Sequence, residues 1–164
     1  FVSPAIRRPV RELEDKSPNG IMAVIMGSAT IGKMKGHESA VLSLNKYDQW
    51  VQVYRADALE ICSDKLTLTF DVLPRENFGE TNYFLTKGCN QYGIVQTDDG
   101  KLDFYIDNGE HVSLQADVPS DWMNKWHNVT GVYDGSTMEL YVDGRKAASR
   151  DACGNIRNLP LSCA

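Results

Sequence analysis

The chain has 164 residues, of which 42% are hydrophobic and 24% are charged, and its formal net charge is −5. This length and composition are typical of one globular domain, with or without a tail, and exclude a chain that is disordered throughout. The negative charge argues against binding to nucleic acid or to an anionic membrane, because neutralising phosphates requires a basic face.

The first 35 residues are predicted to form an N-terminal arm or linker with one or two short strands. Pro4, Pro9 and Pro18 punctuate a charged stretch, which is typical of a linker. The apolar segment from Ile21 to Ile31 follows, and it is far shorter than the roughly 20 residues that cross a bilayer. Because the chain begins with Phe1, without Met and without a visible leader, we expect a fragment of a longer protein.

Residues 36–164 are predicted to form an all-β domain of short antiparallel strands. In most of these strands apolar and polar residues alternate with a period of two, so that one face is apolar and the other is polar and exposed to solvent. This is the pattern expected when two antiparallel sheets stack on each other. The segments that carry it are Val51–Val53, Leu66–Val72, Leu102–Ile106, Val112–Ala116 and Met138–Val142.

Turn signals separate these segments at short intervals. Asn108-Gly109, Asp134-Gly135 and Asp143-Gly144 are dipeptides that supply the positive φ angles of tight hairpins. Pro119-Ser120-Asp121 predicts the cap of one short helical turn ending at Lys125. A two-sheet sandwich follows from strands and turns together, although the pattern alone leaves a closed barrel open.

Four cysteines, Cys62, Cys89, Cys153 and Cys163, allow three complete disulfide pairings, among which the sequence does not choose. No Cys-x-x-Cys pair is present, so a zinc ribbon or a thioredoxin-like site is not expected. All four residues are equally well explained as small buried apolar side chains.

The region from residue 81 to residue 150 resembles a known family. The segments that carry the resemblance are Asn82-Tyr83-Phe84-Leu85-Thr86-Lys87-Gly88, Gly100-Lys101-Leu102-Asp103-Phe104-Tyr105-Ile106, Lys125-Trp126-His127-Asn128-Val129 and Met138-Glu139-Leu140-Tyr141-Val142. Together they resemble the laminin-G-like, concanavalin-A-like jelly roll over residues 40–160. The sequence around Pro119-Ser120-Asp121-Trp122 is also similar to that of the jelly-roll domain appended to bacterial β-galactosidases of glycoside hydrolase family 2.

This resemblance implies a two-sheet antiparallel jelly roll that belongs to a larger secreted or periplasmic enzyme. Such domains usually end with further strands that pair beside the first, whereas this chain stops at Ala164. We therefore expect one or two closing strands to be absent, which leaves an open sheet edge. The segment from Ile21 to Ile31, or a second copy of the chain, is a candidate to fill that edge.

No catalytic constellation is evident in the sequence. Jelly-roll glucanases place their carboxylates in a Glu-x-Asp-x-x-Glu pattern on one strand, and nothing here matches that spacing. His37, His111 and His127 have no Gly-x-Ser-x-Gly elbow near them, so a serine nucleophile is not expected. His127 is interpreted as a packed or edge histidine, and the domain by itself is expected not to be an enzyme.

Sugar binding is the favoured function, because a sugar offers apolar C–H faces and a rim of hydroxyls to aromatic rings and polar side chains. Trp126 is interpreted as core, and Trp122 as either a loop-packing residue or an exposed platform. If Leu102, Phe104 and Ile106 face inward, Tyr105 faces the other way. The aromatic residues considered are Trp50, Tyr54, Tyr83, Tyr92, Tyr105, Trp122, Trp126 and Tyr141, and the proposed carbohydrate-binding residues are Trp122, Tyr105, Asp103, Asp107 and Tyr92.

No cofactor is certain, and calcium stays open, because relatives of this fold bind it through loop carboxylates. Asp98, Asp99, Asp134 and Asp143 are such carboxylates, although hairpin chemistry explains each equally well. The expected partners are a galactoside-type glycan and the other domains of the parent enzyme, with no nucleic acid and no membrane. The alternative function is a structural spacer between domains of the same enzyme, without a ligand of its own.

Overall fold

The computed structural model describes residues 11–35, 39–76, 79–88 and 90–158. Cys89, Cys163 and His37 lie outside these residues, so the predictions that involve them stay untested. The chain forms two compact units, Phe1–Leu59 and Glu60–Ala164. The predicted division at residue 35 stays a prediction.

Unit 1 contains two small antiparallel sheets. Strands β1 (Glu12–Leu13), β2 (Ala23–Met26) and β5 (Trp50–Val53) form one of them, in the order β1-β2-β5. Strands β3 (Thr30–Lys33) and β4 (Ala40–Ser43) pair as the other, and a 3-10 helix at Asp57–Leu59 ends the unit. The segment from Ile21 to Ile31 therefore forms strand pairs with other segments of unit 1.

Unit 2 is a sandwich of two four-stranded antiparallel sheets, which confirms the predicted all-β fold class. The strands are β6 (Leu66–Val72), β7 (Asn82–Lys87), β8 (Tyr92–Gln96), β9 (Leu102–Asp107), β10 (His111–Ala116), β11 (His127–Tyr133), β12 (Thr137–Val142) and β13 (Arg145–Asp151). One sheet has the order β10-β9-β8-β7 and the other the order β13-β12-β11-β6.

The core lies between these two sheets, where alternate residues of facing strands meet. Phe104 of β9 and Val129 and Leu140 of the opposite sheet are fully buried. Gly131 of β11 packs directly against the opposite sheet, since a Cβ atom placed there would be 3.0 Å from the Phe104 ring. The absence of a side chain at Gly131 therefore leaves the space that the Phe104 ring occupies.

Two sequence predictions about unit 2 are wrong. The segment Pro119-Ser120-Asp121 forms turns rather than a helical turn, and Asn124 adopts a φ of 62° there. Trp126 is only partly buried, whereas Trp122 is 3% exposed. Side chains alternate between the two faces of a strand, and in β11 those of His127 and Val129 face the core. Trp126 directly precedes His127, so its side chain falls on the opposite, outward face.

A hydrogen-bonded clasp joins the start of β11 to the turn between β12 and β13. Nδ1 of His127 lies 2.8 Å from Oδ2 of Asp143, and the Asn128 N–H donates to Oδ1 of Asp143 over 2.9 Å. The His127 ring also stacks on the Trp122 indole, with ring centroids 4.9 Å apart. His127 is thus a packed histidine, as predicted, and it fixes the loop that carries Trp122.

The clasp lowers the pKa of Asp143, first through the hydrogen bond from His127 and then through the Asn128 N–H. A carboxylate whose folded-state pKa is depressed stabilises the fold above its unfolded pKa, and this contribution is lost as the pH falls through the folded-state pKa. The stabilisation is therefore present at neutral pH and disappears in acid.

We predict that Asp143→Asn lowers the free energy of unfolding by about 1 kcal/mol at neutral pH, because the amide, like a protonated carboxyl group, keeps only one of the two oxygens that accept these hydrogen bonds as free acceptors. Asparagine tolerates the left-handed φ of 52° at this position, so the substitution tests the charge and leaves the turn intact. Urea unfolding at about pH 7 and about pH 3 should show that the difference in free energy of unfolding between the variant and the wild type becomes smaller in acid. A difference that does not change with pH would contradict an ionised Asp143 in the clasp.

We also predict that Gly131→Val destabilises unit 2 by about 1–3 kcal/mol, because the added methyl groups must displace a fully buried ring. The control is Gly32→Ala, where a Cβ atom meets nothing within 4 Å, and it should leave stability within about 0.5 kcal/mol. Thermal and urea unfolding measure both variants. Equal stability of Gly131→Val and the wild type would show that the sheets are not in close contact there.

Candidate functional site

The outer face of the β7–β10 sheet carries two of the predicted sugar-binding residues side by side. Side chains alternate between the two faces of β9, and Phe104 faces the core. Its neighbours Asp103 and Tyr105 therefore lie on the outer face, as predicted. Tyr105 is nevertheless only 5% exposed. It lies in register with Gly93 of β8, and a Cβ atom at Gly93 would be 2.6 Å from the Tyr105 hydroxyl. Because Gly93 has no side chain, the phenol ring of Tyr105 can pack against the sheet at this position.

The surroundings of Tyr105 keep its hydroxyl protonated. Burial raises the pKa of Tyr105 to about 12, and the neighbouring Tyr83 and Asp103 add to this effect. The His111 ring packs against it, with centroids 5.3 Å apart. Tyr105 therefore stays a neutral phenol that is packed against the sheet and almost fully buried.

Asp103 anchors a group of polar side chains beside Tyr105. Its carboxylate accepts a hydrogen bond from Oγ of Ser113 over 2.5 Å and one from Nε2 of Gln115 over 3.4 Å. Ser113 and Gln115 lie on β10 in register with Tyr105 and Asp103, so all four residues share one face. The group presents carboxylate, hydroxyl and amide functions that can bind the hydroxyls of a ligand.

Tyr83 adds an exposed ring to the same face and was not among the predicted site residues. It lies on β7 in register with Val95, which is in register with Asp103 on the far side. Two strand spacings separate Tyr83 from Asp103, or about 10 Å. Tyr83 is 71% exposed. The sequence signal was its aromatic character alone, because the register shift between Tyr83 and Leu85 hides which face Tyr83 occupies.

Of the other predicted site residues, Asp107 shares this face, whereas Trp122 and Tyr92 do not. Trp122 is buried against His127 and offers no exposed platform. Tyr92 is 3% exposed and belongs to the core cluster, where burial raises its pKa. Asp107 accepts a hydrogen bond from Nε of Arg157 over 2.8 Å, which lowers its pKa. The structure thus brings Asp103, Tyr105 and Asp107 to one face of the sheet, with Asp107 engaged by Arg157, and separates Trp122 and Tyr92 from them.

The loop carboxylates considered for calcium are engaged in turn chemistry. Asp134 accepts hydrogen bonds from the N–H groups of Ser136 and Thr137, and Asp143 belongs to the clasp with His127. Within residues 11–35, 39–76, 79–88 and 90–158, no group of three or more His, Cys, Asp or Glu side chains could hold a metal ion.

The same part of the chain contains no helix that is long and apolar enough to cross a membrane. Cys62 and Cys153 are exposed free cysteines, which contradicts their interpretation as buried apolar residues. Both lie outside regular strands, where the period-two pattern that identifies inward positions does not apply.

Comparison with known proteins places the chain in a family. No curated protein sequence matches it. Among solved structures, the LG4-5 domains of the mouse laminin alpha1 chain align with 60% of this chain at 18% identity and a TM-score of 0.42. This chain covers 27% of that laminin chain. The laminin G sequence model described as the concanavalin A-like lectin/glucanases superfamily matches residues 45–160. A match over most of the chain, on an all-β sandwich of this topology, shows that the chain belongs to the concanavalin A-like lectin/glucanases superfamily.

Proposed function

We propose that unit 2 is a non-catalytic carbohydrate-binding domain that uses the outer face of the β7–β10 sheet. The observation that carries this proposal is the exposed ring of Tyr83, which shares that face with the polar group around Asp103. A sugar ring stacks its C–H face on an aromatic ring and directs its hydroxyls to nearby polar side chains. Tyr83 supplies the first of these contacts, and Asp103 and Gln115 supply the second.

The geometry favours a neutral sugar over an acidic one. Asp103 places a carboxylate at the site, and the chain carries a net charge of −5. Both oppose the binding of a uronate or a sulfated glycan, because like charges repel at close distance. A neutral hydroxyl, in contrast, donates to the carboxylate without charge repulsion.

The resemblance of residues 119–127 to the domain of family 2 enzymes supports the finer part of the proposal. On that basis the ligand is a galactoside-type glycan, and the domain is part of a secreted or periplasmic β-galactosidase-like hydrolase. In that protein it would hold the enzyme near its substrate. Binding to a solid or polymeric glycan raises the local substrate concentration without any new catalytic group.

One observation favours the alternative of a spacer between domains. Unit 1 exposes large apolar side chains, which mark contact surfaces when they occur together on a domain. A spacer would bury them against a neighbouring domain and would need no sugar site in unit 2. The residues are Met22, Ile31, Leu44, Tyr47, Trp50, Val53 and Tyr54.

The two functions are separated by glycan-array binding and calorimetry with the purified chain. We expect binding to galactosides that Tyr83→Ala weakens by about tenfold or more, because the stacking surface is lost. Asp103→Asn should weaken it to a similar extent through the loss of a charged acceptor. Tyr47→Ala is the matched control, because Tyr47 is a tyrosine of similar exposure, 76%, in unit 1.

The expected control result is unchanged affinity for Tyr47→Ala. Trp122→Ala is unsuitable as a test, because removal of a buried indole would destabilise the fold and abolish binding indirectly. A well-folded chain that binds no glycan, or that binds one equally well in Tyr83→Ala, would refute the sheet-face site. The first result would also favour the spacer.

A further inference from the structure

The chain contains the dipeptide Asn-Gly twice, as Asn19-Gly20 in unit 1 and as Asn108-Gly109 in unit 2. In this dipeptide the asparagine side chain reacts readily with its own backbone, because glycine has no Cβ atom to hinder the approach of its nitrogen. Whether the reaction takes place in a folded protein depends on what holds the two reacting groups. The structure allows the same dipeptide to be compared in two environments.

The reaction converts the side-chain amide into a carboxyl group. The glycine nitrogen loses its proton and bonds to Cγ of the asparagine, and the side-chain nitrogen leaves as ammonia, which closes a succinimide ring. Water then opens the ring at either carbonyl and gives aspartate or isoaspartate. The net change consumes water, releases ammonia and adds a negative charge, and it requires no oxidant or cofactor.

In unit 2 both reacting groups are engaged in hydrogen bonds. Nδ2 of Asn108, the atom that would leave, donates to the Cys153 carbonyl over 2.7 Å, and Oδ1 accepts from the Glu110 N–H over 3.3 Å. The Gly109 N–H, which would have to lose its proton, donates to Oδ1 of Asp107 over 3.0 Å. These hydrogen bonds must break before Cγ of Asn108 can turn toward the attacking nitrogen.

The Asp107 carboxylate adds an electrostatic barrier to the reaction at Gly109. Nε of Arg157 donates to the same Oδ1 atom over 2.8 Å, and this hydrogen bond holds the pKa of Asp107 below its ordinary value. Asp107 is therefore ionised at neutral pH. If the Gly109 nitrogen gave up its proton, two negative charges would lie side by side, so the reactive form of Gly109 is disfavoured.

In unit 1 neither reacting group is held in this way. Asn19 is exposed, and among the residues that the structure describes no hydrogen bond engages its side-chain amide or the Gly20 N–H. Asp15 accepts from the N–H groups of Ser17 and Ile21 over 2.8 and 2.6 Å, which fixes the turn on either side of the dipeptide. A Cβ atom at Gly20 would meet nothing within 4 Å, so the space around it is open.

We propose that Asn19 is a site of spontaneous deamidation in the folded chain, and that the hydrogen bonds around Asn108 and Gly109 protect Asn108 from the same reaction. This covalent modification does not depend on the proposed function of the sheet face. The protection preserves a contact of unit 2. A carboxylate in place of the Asn108 amide would face the Cys153 carbonyl without a donor, and the link from the β9–β10 turn to the segment after β13 would be lost.

The test is incubation of the purified chain in mildly alkaline buffer, followed by proteolysis and mass spectrometry of the peptides that carry Asn19 and Asn108. Deamidation is measured from the mass gained when an amide becomes a carboxyl group. The same incubation in concentrated urea gives the two rates without the fold. We expect similar rates for Asn19 in both solvents. Asn108 should react at least about tenfold more slowly in buffer than in urea, because its hydrogen bonds must open first.

Three variants assign the protection to its cause. Asp107→Asn removes the charge beside Gly109 and should raise the rate at Asn108 in the folded chain by about tenfold. Gly131→Val is the control, because it destabilises unit 2 at the core and not at this turn, and it should leave the rate at Asn108 unchanged. Gly20→Ala should slow the reaction at Asn19 by about tenfold, because a methyl group then hinders the attacking nitrogen.

Three results would overturn the proposal. The first is an Asn19 that reacts no faster than Asn108 in the folded chain. The second is a difference between the two residues that persists in urea, since it would then come from the local sequence and not from the fold. The third is a rate at Asn108 that Asp107→Asn leaves unchanged, or that Gly131→Val raises equally, because Asp107 would then not be the source of the protection.

Discussion

The close packing of the two sheets of unit 2 is the constraint on which its other features depend. Phe104 lies against Gly131, and the burial of these strands fixes which residues of β9 face inward. Because the side-chain period of a strand is two, the same packing assigns Asp103 and Tyr105 to the outer face. A shift of β9 by one residue would reverse both faces at once. The site is therefore specified by the core beneath it.

On both faces of β9, a glycine of another strand leaves space for an aromatic ring. Gly131 accommodates Phe104 on the inside, and Gly93 accommodates Tyr105 on the outside. Both rings belong to β9, one residue apart, so this strand is packed from both faces. Tyr105 is consequently buried among its neighbours, whereas the Tyr83 ring on the same face is exposed.

Alternation and turn dipeptides predicted most strands of unit 2, because its inward positions are apolar and its hairpins use Asn-Gly and Asp-Gly. They did not predict β13, whose residues Arg145–Asp151 are polar and mostly exposed, so that no alternation marks the strand. The face that carries Asp103 and Tyr105 was predicted from parity. The burial of Tyr105 was not predicted, because it depends on Gly93 of the neighbouring strand. Which residues of two strands lie opposite each other cannot be read from either strand alone.

The exposed strand β13 bears on how the domain behaves at high concentration. It lies at the edge of its sheet and carries Arg145, Lys146, Arg150 and Asp151. A charged edge resists the addition of a strand from another molecule, since the incoming chain would have to desolvate these groups. Copies of the domain can therefore reach a high concentration without adding strands to the sheet at this edge.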